Sequence, residues 1–213
     1  MKSQDFLLML KLVSLQASER DAATRNEQAG SLSEEPAEYL GWQGWDEPPD
    51  AIAEEPAAWE LYSVRSLSAL LGISKSEISA SLNRGLDVGL ISKDQVSGSY
   101  RANVRALLGI IEYAVPYFFP ARLGAVARGI PTAFAAPALQ DKLMSVNDLP
   151  PVWPDARGNV RGQSVEPLYK SVPLAVRKDR RLYSWLALVD AVRLGAPRER
   201  RLAMDMLKSM LTT

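Results

Sequence analysis

Apolar residues recur at helical spacing in several stretches of the chain and lose that rhythm between them. Near the start, Phe6, Leu7, Met9, Leu10 and Val13 follow a period close to 3.6, which predicts a helix over 3–17 packed on a core. Residues 18–58 are acidic, punctuated by Pro and Gly, and without sustained periodicity, so they read as a long loop or insert. Trp42, Trp45 and Trp59 are unusual in such a segment and read either as pins to the body or as anchors for a partner. Helical patterning returns from Ala57 to Ile91, and "SKDQVSGSY" (92–100) then reads as a short hairpin or turn. Asn103 to Tyr117 is a strongly apolar helix stopped by Pro116 and Pro120. Residues 121–151 break into short pieces at Gly124, Gly129, Pro131 and Pro137, and 149–163 reads as a turn-rich connection. Two helices close the chain. Leu182, Trp185, Leu186, Val189 and Val192 share one face of the first, Gly195 stands where its C-terminal cap belongs, and Pro197 suits the first turn of the second, which runs to about Leu211.

The stretch "LSALLGISKSEISASLNRGLDVGLI" (67–91) has the most specific local logic. Leu67, Leu70 and Leu71 lie on one face of a short helix, and Gly72 follows where a tight turn favours a residue without Cβ. Ser74 is a natural N-cap, with Glu77 three residues on completing a capping box. The next helix, about 75–88, turns Ile78 and Leu82 inward and Lys75, Ser76, Ser79, Ala80, Asn83 and Arg84 outward. Small polar and basic side chains on an exposed helix face suit close approach to a DNA major groove, with Asn and Arg long enough to reach base edges or phosphates. Gly85 and Gly89 are expected to weaken the end of this helix.

On these residues the stretch resembles the helix–turn–helix of bacterial winged-helix regulators of the MarR kind. The resemblance implies that Leu90–Ile91–Ser92 begins a short β-wing. Lys93 and Arg101 flank that wing within reach of phosphates. In the second half, "RGIPTAFAAP", "PPVWPDARGNVRG", "EPLYKSVPLA" and "LYSWLALVDAVRLGAPRERRLA" resemble an uncharacterised group of bacterial winged-helix proteins associated with toxin–antitoxin or defence loci. That likeness implies a regulator or antitoxin and supplies no functional residues for the second half.

Composition narrows the chemistry. With no cysteine and no histidine, disulfides, thiol nucleophiles, Cys/His zinc sites and histidine-based triads are excluded. No nucleotide-binding fingerprint and no paired carboxylate set stands out, so the expectation is not an enzyme, with no cofactor and no metal. Absence of cysteine fits a cytoplasmic setting. Ala106–Ala127 carries Glu112, Pro116, Pro120 and Arg122, so a buried helix is expected there and no membrane partner. "MKSQDFLLMLKLVSLQ" lacks a small-residue cleavage site and reads as a first helix, not a signal peptide. The zero net charge hides an asymmetry: residues 1–62 hold four Lys/Arg against thirteen Asp/Glu, and residues 63–213 hold twenty-one against twelve. An acidic arm on a basic body suits a nucleic-acid binder with a masking or partner-binding segment. Asp190 and Arg193 read as a structural ion pair tying two helices; Arg198, Arg200 and Arg201 read as a solvated face, with phosphate contact as the alternative; Asp155, Arg157, Gly158 and Arg161 read as a surface loop, with a site for an anionic ligand such as a nucleotide or a DNA phosphate as the alternative. Trp153, Tyr169 and Trp185 read as core, with an effector cleft among them as the alternative.

The expected fold is mainly α: a winged helix–turn–helix with a small β-wing over residues 1–100, interrupted by the acidic insert, plus a C-terminal helical region, 101–213, for dimerisation or partner binding. The expected function is a DNA-binding transcriptional regulator acting as a homodimer on double-stranded DNA, with an autoregulating antitoxin as one form of it. Lys75, Ser76, Ser79, Asn83 and Arg84 would read the groove, with Ser74 at the helix start and Arg65, Lys93 and Arg101 on phosphates. The alternative is a winged-helix interaction module that engages a protein partner, such as a toxin, without binding DNA.

Overall fold

In the computed structural model, residues 1–27, 58–95, 97–140 and 149–212 are described. Trp42, Trp45 and most of the acidic insert lie outside them, as does the side chain of Trp59.

Helix α1 (Ser3–Glu27) organises the molecule. Every residue from Gln4 to Gln16 is buried, so the helix is surrounded rather than laid on a surface, as its near-continuous apolar run demands. It continues past the expected end at residue 17, and residues 18–27 are helix rather than loop. "ASERDAATRNE" is rich in good helix formers, and the turn is tied down by Arg181 on Asp21 and by Arg20 donating to the Gln16 carbonyl.

The turn Ala58–Tyr62 leads into α2 (Val64–Leu71) and α3 (Lys75–Asp87). Gly72 ends α2 in the left-handed conformation, φ 63°, as the expected tight turn requires. Ser74 caps α3 by accepting from the Glu77 N–H. The Glu77 carboxylate does not turn back to complete the capping box; it faces Gln4 and Lys2 instead. Gly85 does not break α3. It is buried, and a Cβ there would stand 2.5 Å from Ile91 Cδ1, so its bareness lets α3 lie on the following strand. The hairpin of β1 (Ile91–Lys93) and β2 (Tyr100–Ala102) pairs Ser92 with Arg101, and α4 (Val104–Tyr113) and the short α5 (Val115–Phe118) follow.

The second half is less purely helical than expected. The short pieces and the turn-rich connection assemble β3 (Leu123–Pro131), β4 (Pro151–Pro154) and β5 (Val160–Val165). Each strand bonds to the other two, β3 antiparallel to both and β4 parallel to β5. The pattern "LGAVARGIP" conceals the strand because its outer part is solvated on both faces and its inner part is covered on both, leaving no alternation. Glycines make the assembly tight: a Cβ on Gly129 would run into the Trp153 carbonyl, and one on Gly158 into Gly129 itself.

A single turn, Ala133–Ala135, and helices α6 (Pro137–Gln140) and α7 (Val172–Val176) lead to α8 (Arg180–Leu194) and α9 (Pro197–Thr212). α8 is buried all round from Leu182 to Arg193, not along one face only. Gly195 ends it without the left-handed cap expected; its φ is −69°, and it is small because a Cβ would meet the Ala191 carbonyl. One buried cluster runs from Phe6 and Met9 through Leu67, Ile78 and Leu107 to Trp185 and Leu207, so the two halves share a core. Phe6 meets Phe119 edge to face, with ring centroids 5.7 Å apart.

Candidate nucleic-acid interface

α3 presents two adjacent stripes. Ser76, Ser79, Ala80 and Asn83 recur at the spacing of one helical face; Ser76 and Asn83 are exposed, Ser79 and Ala80 half-buried, and Lys75 is exposed beside them. Glu77, Ser81 and Arg84 form the neighbouring stripe, turned against the start of α1.

Arg84 is therefore held, not free. Its guanidinium grips Asp5 with two bonds, Nε at 3.0 Å and Nη2 at 2.6 Å, and the Ser81 hydroxyl donates to the same carboxylate at 2.6 Å. Burial by itself would raise the Asp5 carboxyl, but Arg84, the Lys2 N–H and Ser81 outweigh it and hold it below the ordinary carboxylate range. The Asp5 bond in turn raises the Arg84 guanidinium further. A signal for this clamp exists in the sequence: an aspartate embedded in "QDFLLML" needs a buried partner, and Ser81 and Arg84 lie three apart on one helix face.

The other expected contact residues have separate places. Ser74 is occupied as the cap of α3. Arg65 is exposed in the first turn of α2. On the hairpin, Lys93 is exposed with its Nζ 5.7 Å from the Tyr100 ring centroid, and Arg101 sits between Glu19, at 3.7 Å, and Asp94, at 3.9 Å. α3 and the hairpin thus bring Lys75, Ser76, Asn83 and Lys93 to the surface, while Arg84 and Ser74 are spent on structure.

Two further contacts fix this region to the rest. Leu174 of α7 packs on Gly72 in the turn, and Lys178 Nζ donates to the Ala69 carbonyl at 3.1 Å. On α1, Lys11 and Ser14 both reach Asp179, each at 2.6 Å, the same aspartate whose other oxygen caps α8 through the Leu182 N–H.

Asp190 is the other buried acid. Arg193 donates to it at 2.5 Å, Trp153 Nε1 at 2.5 Å and Thr132 Oγ1 at 3.0 Å. Arg193 also donates to the carbonyls of Phe119 and Glu166. The pair lies within α8 and ties it to the β3–β4 region, not to the neighbouring helix as expected. Burial pushes the Asp190 carboxyl up, against the pull of Arg193, Trp153 and Thr132. Trp153 and Trp185 are core, and Tyr169 is half-buried. Arg161 belongs to β5 and not to a loop. Among the described residues no group of acidic side chains is arranged to hold a metal ion, and no helix is long and apolar enough to cross a membrane.

No protein-family model, curated protein or solved structure matches this chain.

Proposed function

We propose that the chain is a DNA-binding regulator whose winged helix–turn–helix is built from α1, α2, α3 and the β1–β2 hairpin. The observation that carries this reading is the solvent stripe of α3. A capped helix of thirteen residues, docked after a left-handed glycine turn, exposes Lys75, Ser76 and Asn83 and is followed at once by a two-stranded hairpin bearing Lys93. Small and polar side chains allow close approach to the groove, Asn83 is suited to an adenine edge, and Lys75 and Lys93 to phosphates. In this reading Arg84 positions the helix and does not read bases, because its fork is already filled by Asp5.

The same reading takes a homodimer, since two reading helices on a two-fold site gain affinity by linkage. Tyr113, Tyr117 and Phe118 at the α4–α5 corner are each about three-quarters exposed, an unusual cluster of solvated rings. Tyr113 and Tyr117 line a groove that also carries Glu112 and Asp205 together with Arg200 and Arg201. A surface with both signs is self-complementary across a two-fold axis, so the occupant proposed is a second copy of this chain.

The test is fluorescence anisotropy of the purified protein with labelled DNA from upstream of its own coding region, against scrambled DNA, at two salt concentrations. Tight, salt-sensitive binding to its own region is the expected result. Equal or absent binding to both would overturn the reading and leave the protein-interaction module as its successor.

A further inference from the structure

We propose that the β3–β5 ribbon is a second phosphate-holding surface, where Arg128 and Arg161 together grip the backbone of duplex DNA. The proposal rests on the DNA-binding reading above but on a different part of the molecule.

The two arginines are direct cross-strand partners, Arg128 of β3 facing Arg161 of β5. Residues directly opposite in an antiparallel pair share a face, with Cβ atoms about 5 Å apart, and like charges there repel. Both side chains are exposed, and neither has an acidic partner among the described residues. The acid tied to this corner is committed elsewhere. Asp155 donates its N–H to the Arg128 carbonyl at 3.1 Å, but its carboxylate accepts from buried Arg177 at 2.8 Å and from the Arg157 N–H at 2.7 Å. An uncompensated pair of guanidiniums is an ordinary cost if the chain is mobile and a preorganised anion site if it is fixed.

Here it is fixed. Gly129 follows Arg128 and Gly162 follows Arg161, and both are pressed against backbone: a Cβ on either would strike the carbonyl of Trp153 or of Pro150. The two strands cannot separate or slide without opening that packing. The same face continues through the next cross-strand pair, Val126 with Gln163, which carries no charge to repel an extended polyanion. Two forked donors on a rigid base match the oxygens of a phosphodiester, a role for which arginine is better shaped than lysine. Contacts to phosphate oxygens carry no base information, so a grip of this kind is independent of sequence.

The experiment is a salt series of DNA binding by the full chain and by R128Q/R161Q, on own-region and scrambled duplexes, with melting followed by circular dichroism. Removing two phosphate contacts is expected to make the slope of log affinity against log salt shallower by about 1.8 and to weaken binding about tenfold at low salt, equally on both duplexes. The melting temperature should not fall, since two repelling charges are removed. R161Q alone should lose about half of that slope, and R128K/R161K should keep it. An unchanged slope in a variant that still discriminates the two duplexes would overturn the ribbon and leave the α3 reading standing. A wild-type chain that binds neither duplex would overturn both.

Discussion

Asp5 and Asp190 are both buried carboxylates gripped by an arginine and a hydroxyl-bearing neighbour, yet their proton affinities move in opposite directions. At Asp190 the whole cluster is sealed in the core, and the cost of burying charge exceeds what Arg193, Trp153 and Thr132 return. At Asp5 the partner Arg84 keeps 28% of its side chain in solvent, the Lys2 N–H adds a further donor, and the bonds win. The same pair of residue types is thus a core knot in one place and a surface-facing clamp in the other. Only the second lies beside the solvent stripe of α3, the face proposed to meet DNA. The difference teaches that an arginine on a polar helix is not evidence of recognition until its partners are known.

The largest effect should come from the knot. Asp190→Ala would leave Arg193, the Trp153 N–H and the Thr132 hydroxyl without their common acceptor. A loss of about 3–5 kcal/mol is expected in urea unfolding at neutral pH, and a loss under about 1 kcal/mol would show that the pair is replaceable packing. Next is the clamp. Asp5→Ala strands Ser81 and frees Arg84 toward water, at a cost of about 1–3 kcal/mol by the same assay.

Titration separates the two by sign. Asp5 has its folded value lowered, so its contribution is present above the unfolded value, 3.8, and is lost as pH falls through the folded one. Asp190 has its folded value raised, so it favours the fold in acid and that contribution is lost as pH rises above 3.8 through the folded value. Asp5→Asn should flatten the acid limb of the stability curve in denaturation runs between about pH 2 and pH 5; an unaltered limb would contradict the clamp's charge state.

Smaller in stability but sharper in function, Lys75→Ala with Asn83→Ala should weaken binding to the own-region duplex by about 1–3 kcal/mol and leave melting unchanged. Arg84→Ala should lower melting, and its coupling to Asp5→Ala in a double-mutant cycle of stability should be plain. Strong loss of sequence discrimination in Arg84→Ala without loss of stability would return Arg84 to the reading face. A similarly small stability effect belongs to the α4–α5 corner: Tyr117→Ser with Phe118→Ser should stay within about 0.5 kcal/mol of wild type. Sedimentation should nonetheless show a shift from dimer to monomer.

What the sequence made legible was local. The α2–Gly72–α3 unit, its Ser74 cap, the hairpin after it and the α8–α9 break at Gly195 and Pro197 follow from caps, turns and periodicity acting within a few residues. What escaped was set by distance. β3, β4 and β5 pair across long separations and carry no alternation. Arg84 looked free because its partner lies 79 residues earlier, inside a run read for its apolar residues alone. Of the candidate site, the solvent stripe of α3 was visible in the pattern of small and polar residues, and the neighbouring strut stripe was not. Gly85 shows the same limit: propensity marked it as a weak point, while its contact with Ile91 makes it a fitting.

The placement of α1 has a consequence for how the protein is made. A ribosome delivers this helix well before α8, but Lys11 and Ser14 wait for Asp179, the latter bond spanning 165 residues. Until α8 emerges, an apolar helix and the unit it supports have no completed core to enter. Chains cut short by a premature stop would carry every side chain of the α3 surface and still lack its scaffold. Synthesis through α8 thus acts as a completeness check on the surface proposed to meet DNA.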